Sequence, residues 1–232
     1  MSLFEEHKAE RRERIISAAR ELVTKHGYEG LTMRDLAAAA RVSVPTLYNL
    51  FGSKDAILVA ELGRTAVVIA SRIQQHGTFF ARGMAAFEAG MDQIEEQPAF
   101  FRAVMHMFLT SPESGDMRRR SEEGYIAIMT ANLRAAEQAG QFAEWAEPEV
   151  VARHMYGLYV SIFLAWAADE LDMKGFRNAA LSGICHLLVG VTLGAFHDEA
   201  LARLRKLYKE SPHHKPKEVR RHAAKSRAGS DD

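Results

Sequence analysis

The chain has 232 residues, of which 47% are hydrophobic, so it is long enough to bury a sizeable core within one or two domains. A single cysteine excludes an internal disulfide framework, and the charged segment from Glu5 to Arg14 is unlike a secretory signal peptide, so we expect a cytoplasmic protein. The net charge of zero is unevenly distributed: residues 1–60 hold nine Lys/Arg against eight Asp/Glu (+1), residues 201–232 hold ten against four (+6), and residues 61–200 are left with −7.

Ala, Leu, Met, Glu and Arg dominate the sequence, and alternating runs of Val, Ile and Thr are absent. This composition predicts an all-α fold, which the segments below divide into about nine helices. The first predicted helix runs from Arg11 to His26, where Ile15, Ala19 and Val23 recur with helical spacing along one face. Gly27 is predicted to end it as a C-cap.

The stretch LTMRDLAAAARVSVPTLYNLFGSK, residues 31–54, predicts two short helices joined by a tight turn and followed by a third helix. Thr32 can cap the first of them, with Asp35 three positions on as its capping-box partner. After the break at residues 41–43, either Ser43 or Val44 can start the second helix. Because a residue before proline avoids the helical region, Val44 is favoured as the N-cap and Pro45 as the first helical residue.

Helical periodicity sorts this second helix into two faces, at about 100° per residue. The apolar face carries Leu47, Leu50 and Phe51. The opposite face carries Pro45, Tyr48 and Asn49. A short helix that buries three apolar residues and presents a ring, a phenol and an amide outward suits insertion into a DNA major groove. Lys54, in the first turn of the next helix, opposes the helix dipole, and a docked phosphate would reverse that penalty. The alternative is a compact three-helix corner with a solvated lysine.

The segment from about Arg14 to Leu58 resembles the N-terminal domain of the TetR family of transcriptional repressors. The elements that carry the resemblance are His26-Gly27, Tyr28 and Leu31 before the cap, Thr-x-x-Asp-Leu-Ala from Thr32, Thr46-Leu47-Tyr48, Phe51, and Ser53-Lys54. They cover about 45 of the 232 residues and occur in the order that the family shows. The resemblance implies an N-terminal three-helix helix-turn-helix domain and a C-terminal helical domain for ligand binding and dimerisation.

The resemblance also assigns roles to individual positions. Thr46, Tyr48 and Lys54 would hold DNA phosphates, with Thr32 contributing at the start of its helix. The implied DNA-binding residues are Thr32, Arg41, Ser43, Val44, Pro45, Thr46, Tyr48, Asn49 and Lys54.

Base recognition is expected to be sparse. By resemblance, Pro45 would pack on a thymine methyl group and Asn49 would pair with an adenine edge, a contact worth about 1–3 kcal/mol of discrimination. Leu50 departs from the histidine or other polar residue that many relatives have at this position. Val44 offers no hydrogen bond to a base. The operator sequence therefore does not follow from these residues.

Three predicted helices, over residues 78–96, from Pro98 onward and over residues 116–139, carry a dense set of Phe and Met. In the TetR family an effector cavity lies in the helical body, which implies a pocket here lined by Met84, Phe87, Met91, Phe101, Met105, Phe108, Tyr125, Met129 and Tyr159. The alternative is a well-filled core, the usual role of such residues at helical spacing. Few charges lie on the apolar faces, which favours a lipophilic effector, with Arg102, His106 and Tyr125 as candidate polar anchors. No metal site and no cofactor are expected, because the ten histidines form no ligand-spaced cluster.

Residues 147–171 and 174–208 are predicted to form the last two long helices. Residues 178–197 are uncharged and long enough to suggest a membrane span, but their Asn, Ser, His, Thr and Gly content argues against one. A helix that is apolar all round is buried, and the family pairs its last two helices in a four-helix dimer interface. The predicted homodimer contacts are Gly183, Leu187, Gly190, Val191 and Gly194. A two-fold dimer also matches a palindromic operator with half-sites about 34 Å apart.

The predicted organisation is a DNA-binding domain over residues 1–52, an effector-binding and dimerisation domain over 53–208, and a disordered basic tail over 209–232. The function implied is repression that is relieved by a lipophilic small molecule. One alternative is a DNA-binding regulator that lacks such an effector and answers to a protein partner. The other is an enzyme with a helix-turn-helix appendage, but the sequence has no GxSxG motif and no glycine-rich phosphate loop, so no enzyme activity is expected.

Overall fold

A computed structural model of the chain describes residues 3–73 and 77–210. Within these ranges the backbone forms ten α-helices, one 3₁₀ turn over Pro112–Ser114 and no strand, so the all-α prediction is confirmed. The helices are α1 (Leu3–His26), α2 (Met33–Ala40), α3 (Val44–Phe51), α4 (Lys54–Ile73), α5 (Phe79–Glu96), α6 (Pro98–Thr110), α7 (Gly115–Gln138), α8 (Pro148–Ala167), α9 (Met173–Val191) and α10 (Gly194–Glu210). The predicted basic tail, beyond Glu210, and the predicted end of α4 near Gln75 lie outside the described residues.

The first three helices, here called the head, enclose a small core of their own. The apolar stripe of α1 buries Ile15, Ala19 and Val23 against Leu36 of α2 and Leu47 of α3. The predicted cap of α2 is also present: the Asp35 amide donates to Thr32 Oγ1 over 3.1 Å. The Asp35 carboxylate accepts from the Thr32 hydroxyl over 2.6 Å, so it completes the cap through the side chain. Contacts between residues three positions apart therefore fix the start of α2.

The start of α3 differs from the prediction by one residue. Ser43, not Val44, is the N-cap, and its side chain accepts the Thr46 amide over 3.2 Å. Val44 and Pro45 are then the first two helical positions. The hydroxyl of Ser43 satisfies an amide that valine could not, and proline costs nothing at either of the first two positions because those amides have no intrahelical partner. This gain outweighs the usual avoidance of helical geometry before proline.

Helix α4 carries the chain from the head to the remaining helices, here called the body. Its Ile57 and Leu58 are fully buried. Glu61, which is 4% exposed, pairs with Arg20 of α1 over 2.8 Å, and Arg64 binds the same carboxylate over 3.4 Å. Burial raises the pKa of Glu61, and the two arginines oppose that effect. Helix α4 is thus joined to α1 by both apolar and ionic contacts.

The last predicted helix is two helices, because residues 174–208 are broken after Val191. Thr192 leaves helical geometry with ψ of 160°, and Gly194 begins α10 with a left-handed φ of 56°. The break is paired with the connection before α8: the Ala143 amide donates to Val191 O over 2.8 Å, and the Leu193 amide donates to Gln141 O over 3.0 Å. The uncharged run over residues 178–197 is therefore not one continuous helix, and the described chain has ten helices rather than about nine.

Helix α8 has the length and apolar composition to cross a membrane, and it is the one described helix that does. Only 28% of its apolar window is buried within the chain. Its core-facing side carries Val151, Met155 and Phe163, whereas Val150 on the opposite side is 43% exposed. A large part of this apolar helix is therefore open to a partner.

Candidate nucleic-acid interface and interior cavity

The two faces of α3 lie as the periodicity predicts. Leu47 is completely buried, and Leu50 and Phe51 are half-buried against the head core. Tyr48 is 53% exposed, and it is the one large hydrophobic residue of α3 that is exposed. Of the predicted DNA-binding residues, the exposed ones are Thr32, Arg41, Ser43, Pro45, Tyr48 and Asn49, and the half-buried ones are Val44, Thr46 and Lys54. The outward face can therefore reach a groove without rearrangement.

Hydroxyl groups line the start of α3. Ser43 Oγ and Thr46 Oγ1 lie 2.8 Å apart and share a hydrogen bond at the exposed N-terminus of the helix. Arg41, immediately before, has a left-handed φ of 53°, a region in which glycine is the usual C-cap residue. A hydroxyl pair and a guanidinium together form a surface with the chemistry to bind a phosphate.

Arg12 of α1 holds the other end of α3, a contact that the sequence analysis missed. Its Nη1 donates to the Leu50 carbonyl oxygen over 2.7 Å, and its guanidinium lies 4.1 Å from the centre of the Phe51 ring. A cation at a helix C-terminus also complements the helix dipole. Arg12 and Leu50 are 38 residues apart, so no local pattern could have revealed the contact.

Lys54, which is predicted to contact a DNA phosphate, also makes contacts within the chain. Its Nζ donates to the carbonyl oxygens of Tyr28 and Leu31, each over 3.3 Å, and lies 4.0 Å from the centre of the Tyr28 ring. These contacts join the start of α4 to the loop after α1. The contact of Lys54 with a DNA phosphate stays a prediction.

Asp55 connects the head to the body. Its carboxylate is 3% exposed and accepts hydrogen bonds from the Tyr28 hydroxyl over 2.7 Å and from the Ser111 hydroxyl over 2.6 Å. Burial, and then the hydrogen bond to Asp55, raise the pKa of Tyr28 to about 12. Tyr28 belongs to the loop after α1, and Ser111 ends α6, so one carboxylate joins three separate parts of the chain. We call this the Asp55 bridge.

The interior of the body holds one small cavity, of about 20 Å³, between α5, α7, α8, α9 and α10. Met84, Phe87 and Met129 line it, as predicted for the effector pocket, together with Met155, which was not predicted. Met91 and Phe101 are buried in the core, whereas Met105 and Phe108 are half-buried. A volume of this size holds about one water molecule, so this cavity is closed to a larger ligand.

An aromatic cluster lies beside this cavity. Tyr159 of α8 meets the edge of Phe87, with ring centres 5.2 Å apart, and stacks on Tyr125 of α7 at 5.7 Å with 7° between the planes. Tyr156 lies 5.5 Å from Tyr125. The Tyr125 hydroxyl is buried and has no hydrogen-bond partner among the described residues. Burial raises the pKa of Tyr125 well above its usual value, so the phenol stays protonated.

The two other candidate polar anchors face outward. Arg102 donates to Asp169 over 2.6 Å and stacks over the Trp166 ring at 4.7 Å. His106 is exposed, and its ring centre lies 5.6 Å from that of Tyr28. Neither residue lines the 20 Å³ cavity, but both line a wider pocket of about 880 Å³ between α1, α6 and α8, so their role as anchors stays a prediction.

The predicted dimer residues fall into different environments. A Cβ on Gly183 would lie 2.6 Å from Cδ2 of Leu158 in α8, so this glycine admits a helix of its own chain rather than a partner helix. Gly194 serves the turn before α10, as its φ shows. Gly190 is exposed with open space around it, and Leu187 and Val191 are half-buried. Gly194 is also exposed with open space around it, so the five residues stay predicted dimer contacts.

Comparison with known proteins agrees with this geometry. Residues 15–60 match the profile of the bacterial regulatory proteins of the tetR family. The HTH-type transcriptional repressor KstR of Mycolicibacterium smegmatis is 47% identical over 62 residues, which are 27% of this chain and 30% of KstR. The HTH-type transcriptional regulator UidR of Escherichia coli is 22% identical over 180 residues, 75% of this chain and 92% of UidR. The family profile therefore covers most of the head and the start of α4, whereas UidR, which is matched over most of this chain, is only 22% identical.

Two solved structures extend the likeness in fold to the body. TylP, a TetR regulator from Streptomyces fradiae, superposes with a TM-score of 0.65 at 19% identity, covering 87% of this chain and 97% of TylP. SmeT, the repressor of the Stenotrophomonas maltophilia multidrug efflux pump SmeDEF, superposes with a TM-score of 0.64 at 22% identity, covering 80% of this chain and 92% of SmeT. The segment 15–60 thus matches the tetR family of bacterial regulatory proteins in sequence, and the body is similar to solved TetR-family regulators in fold.

Proposed function

We propose that the protein is a transcriptional repressor that binds a palindromic DNA operator as a homodimer. The observation that carries the proposal is the outward face of α3, where exposed Pro45, Tyr48 and Asn49 lie beside the hydroxyl pair of Ser43 and Thr46. This face lies inside the segment that matches the family profile. Phosphate contacts would position the helix, and Asn49 would read a base edge.

Tyr48→Ala is expected to weaken operator binding about tenfold or more, because each head loses a hydrogen bond to a charged phosphate. Since Tyr48 is 53% exposed, the substitution should change the free energy of unfolding by less than about 0.5 kcal/mol. Footprinting on the gene's own upstream region would locate the operator, and gel-shift titration would give the affinities. Tyr48→Phe is the matched control, since it removes the hydroxyl group and keeps the aromatic ring.

Lys54 is not a suitable position for this test, because its substitution would also break the contacts to Tyr28 and Leu31. A footprint of the wild type that persists in Tyr48→Ala at unchanged affinity would mean that α3 does not contact the DNA in this way. Loss of binding in Tyr48→Ala but not in Tyr48→Phe would assign the contact to the ring.

We also propose that a lipophilic effector releases the protein from its operator. SmeT, which shares the fold, is known in a complex with triclosan. The body cavity here is lined by side chains of which none is charged, but its 20 Å³ cannot hold a ligand without movement of the lining. The effector must therefore bind an opened body better than the closed one, since a ligand with equal affinity for both would shift nothing.

The closed interior also favours a second candidate, a regulator without a small-molecule effector that is controlled by a protein partner. Binding of a lipophilic compound to the purified protein separates the two candidates. A ligand that binds the native state alone must raise its melting temperature, whereas a protein with a permanently filled core would not respond.

The homodimer is proposed to form through the exposed faces of α8 and α9. Only 28% of the apolar window of α8 is buried within the chain, and a second copy of the chain would cover more of it. Gly190 and Val150 lie on these faces, where Gly190 has open space and Val150 is 43% exposed. Leu187 and Val191 would add half-buried apolar surface beside Gly190.

Gly190→Arg is expected to convert the dimer to a monomer, because it places a charged side chain at the centre of an apolar contact. The monomer should stay folded, since Gly190 has no atom within 4 Å of the new Cβ. Gly124→Arg is the control, because Gly124 is also exposed, helical and open but lies on α7. Sedimentation equilibrium would measure both, and a Gly190→Arg variant that remains dimeric would place the interface elsewhere.

A further inference from the structure

The buried hydroxyl of Tyr125 is the feature of the body that its packing leaves unexplained. Burying a phenol without a hydrogen-bond partner is unfavourable, and native proteins usually satisfy such groups. The group is not at a flexible surface, because its ring is stacked on Tyr159 and lies against Tyr156. As a protonated phenol it can donate one hydrogen bond to an acceptor that the chain does not supply.

The surroundings of Tyr125 limit what could supply that acceptor. Tyr159 connects Tyr125 to Phe87, which lines the small cavity. The cavity itself is bordered by Met84, Met129 and Met155, unbranched side chains that can change rotamer to widen it. Its lining contains no charged side chain, so an anion or cation would lose its hydration without gaining an opposite charge.

We propose that the effector is a neutral aromatic molecule with one hydrogen-bond acceptor, which slides between the rings of Phe87 and Tyr159 and accepts a hydrogen bond from the Tyr125 hydroxyl. The flat rings provide stacking surface, the methionines yield the volume, and the acceptor satisfies the unpaired Tyr125 hydroxyl. This inference rests on the proposed effector response and narrows its chemical class. It adds a named anchor, Tyr125, to a pocket that the sequence describes only as lipophilic.

Equilibrium dialysis with acetylnaphthalene, isopropylnaphthalene and naphthoate tests this class. The first two have nearly the same shape, but only acetylnaphthalene carries a neutral acceptor, and naphthoate carries a charge. The wild type is expected to bind acetylnaphthalene about 3- to 10-fold more tightly than isopropylnaphthalene, the range of one neutral hydrogen bond. Naphthoate should bind more weakly than acetylnaphthalene. Tighter binding of naphthoate would overturn the neutral class.

Tyr125→Phe is expected to bring the ratio of the two neutral probes close to one while leaving the affinity for isopropylnaphthalene unchanged. Tyr156→Phe is the matched control on the neighbouring ring, and it should preserve the wild-type ratio. The free Tyr125→Phe protein should also melt no lower than the wild type, because the substitution deletes an unsatisfied buried donor. A clearly lower melting temperature, or an unchanged ratio, would show that the hydroxyl is not the anchor.

Failure of the ligand inference can be distinguished from failure of the proposed DNA-binding function. An operator footprint with no binding of either neutral probe would overturn this inference and leave the DNA-binding proposal in place. Tyr125-dependent probe binding without any operator footprint would support the ligand site and contradict the repressor proposal.

Discussion

Asp55→Ala is expected to lower the free energy of unfolding by about 3 kcal/mol or more. Hydrogen bonds to a charged group are each worth about 1.5–3 kcal/mol, and the buried Asp55 carboxylate accepts two, from Tyr28 and Ser111. Its removal leaves both hydroxyls without their acceptor at a site that is 3% exposed. Urea denaturation followed by circular dichroism would measure the loss.

Variants that remove one of the two hydrogen bonds to Asp55 show how much each bond contributes to stability. Ser111→Ala and Tyr28→Phe each remove one of the two bonds and should each cost about half as much as Asp55→Ala. A double-mutant cycle between Asp55 and Ser111 should show a coupling well above the few tenths of a kcal/mol seen between independent sites. Stability of Asp55→Ala within about 0.5 kcal/mol of the wild type would mean that the bridge is not an energetic link between head and body.

Phe176→Ala is expected to cost about 4 kcal/mol, within the range for deleting a fully buried phenylalanine. Phe176 is completely buried in α9, with its ring centre 6.1 Å from that of Tyr159 and 5.7 Å from that of Trp166. The cavity left behind would lie beneath the aromatic cluster and could not collapse without moving α8. Fluorescence of Trp166 in a Trp145→Phe background would report the unfolding, since Trp145 is 76% exposed.

The less drastic Phe176→Leu serves as the comparison, because it keeps most of the volume and should cost less than half as much. Equal losses in the two variants would show that the ring contacts, rather than the filled volume, stabilise the junction of α8 and α9. The larger cavity of Phe176→Ala should also bind small apolar molecules, as dry engineered cavities do.

Local chemistry made the head predictable. Thr32 caps α2 and Leu47 turns inward, because each depends on residues three or four positions away. At the start of α3, the restriction on residues before proline predicts Val44 as the N-cap, but the hydroxyl of Ser43 makes Ser43 the N-cap. In each case the competing effects lie within a single turn of helix, where sequence patterns are most informative.

The features that the sequence could not reveal depend on distant partners. The break after Val191 is held by residues 141–143, and the uncharged run across it looks helical throughout. Ser111 meets Asp55 across 56 positions. Phe and Met at helical spacing predicted an apolar interior correctly, but spacing does not show how completely side chains fill it. The closed cavity is a property of three-dimensional packing.

The contact of Arg12 with the end of α3 has a consequence for engineering. Arg12 lies upstream of residues 15–60, the span that matches the family profile. A hybrid protein whose donor head is cut at the profile boundary would keep every exposed side chain of α3 but lose the guanidinium that fixes the Leu50 carbonyl and covers Phe51. Grafts of this head onto another body should therefore begin upstream of Arg12, so that α3 keeps the orientation it has in this chain.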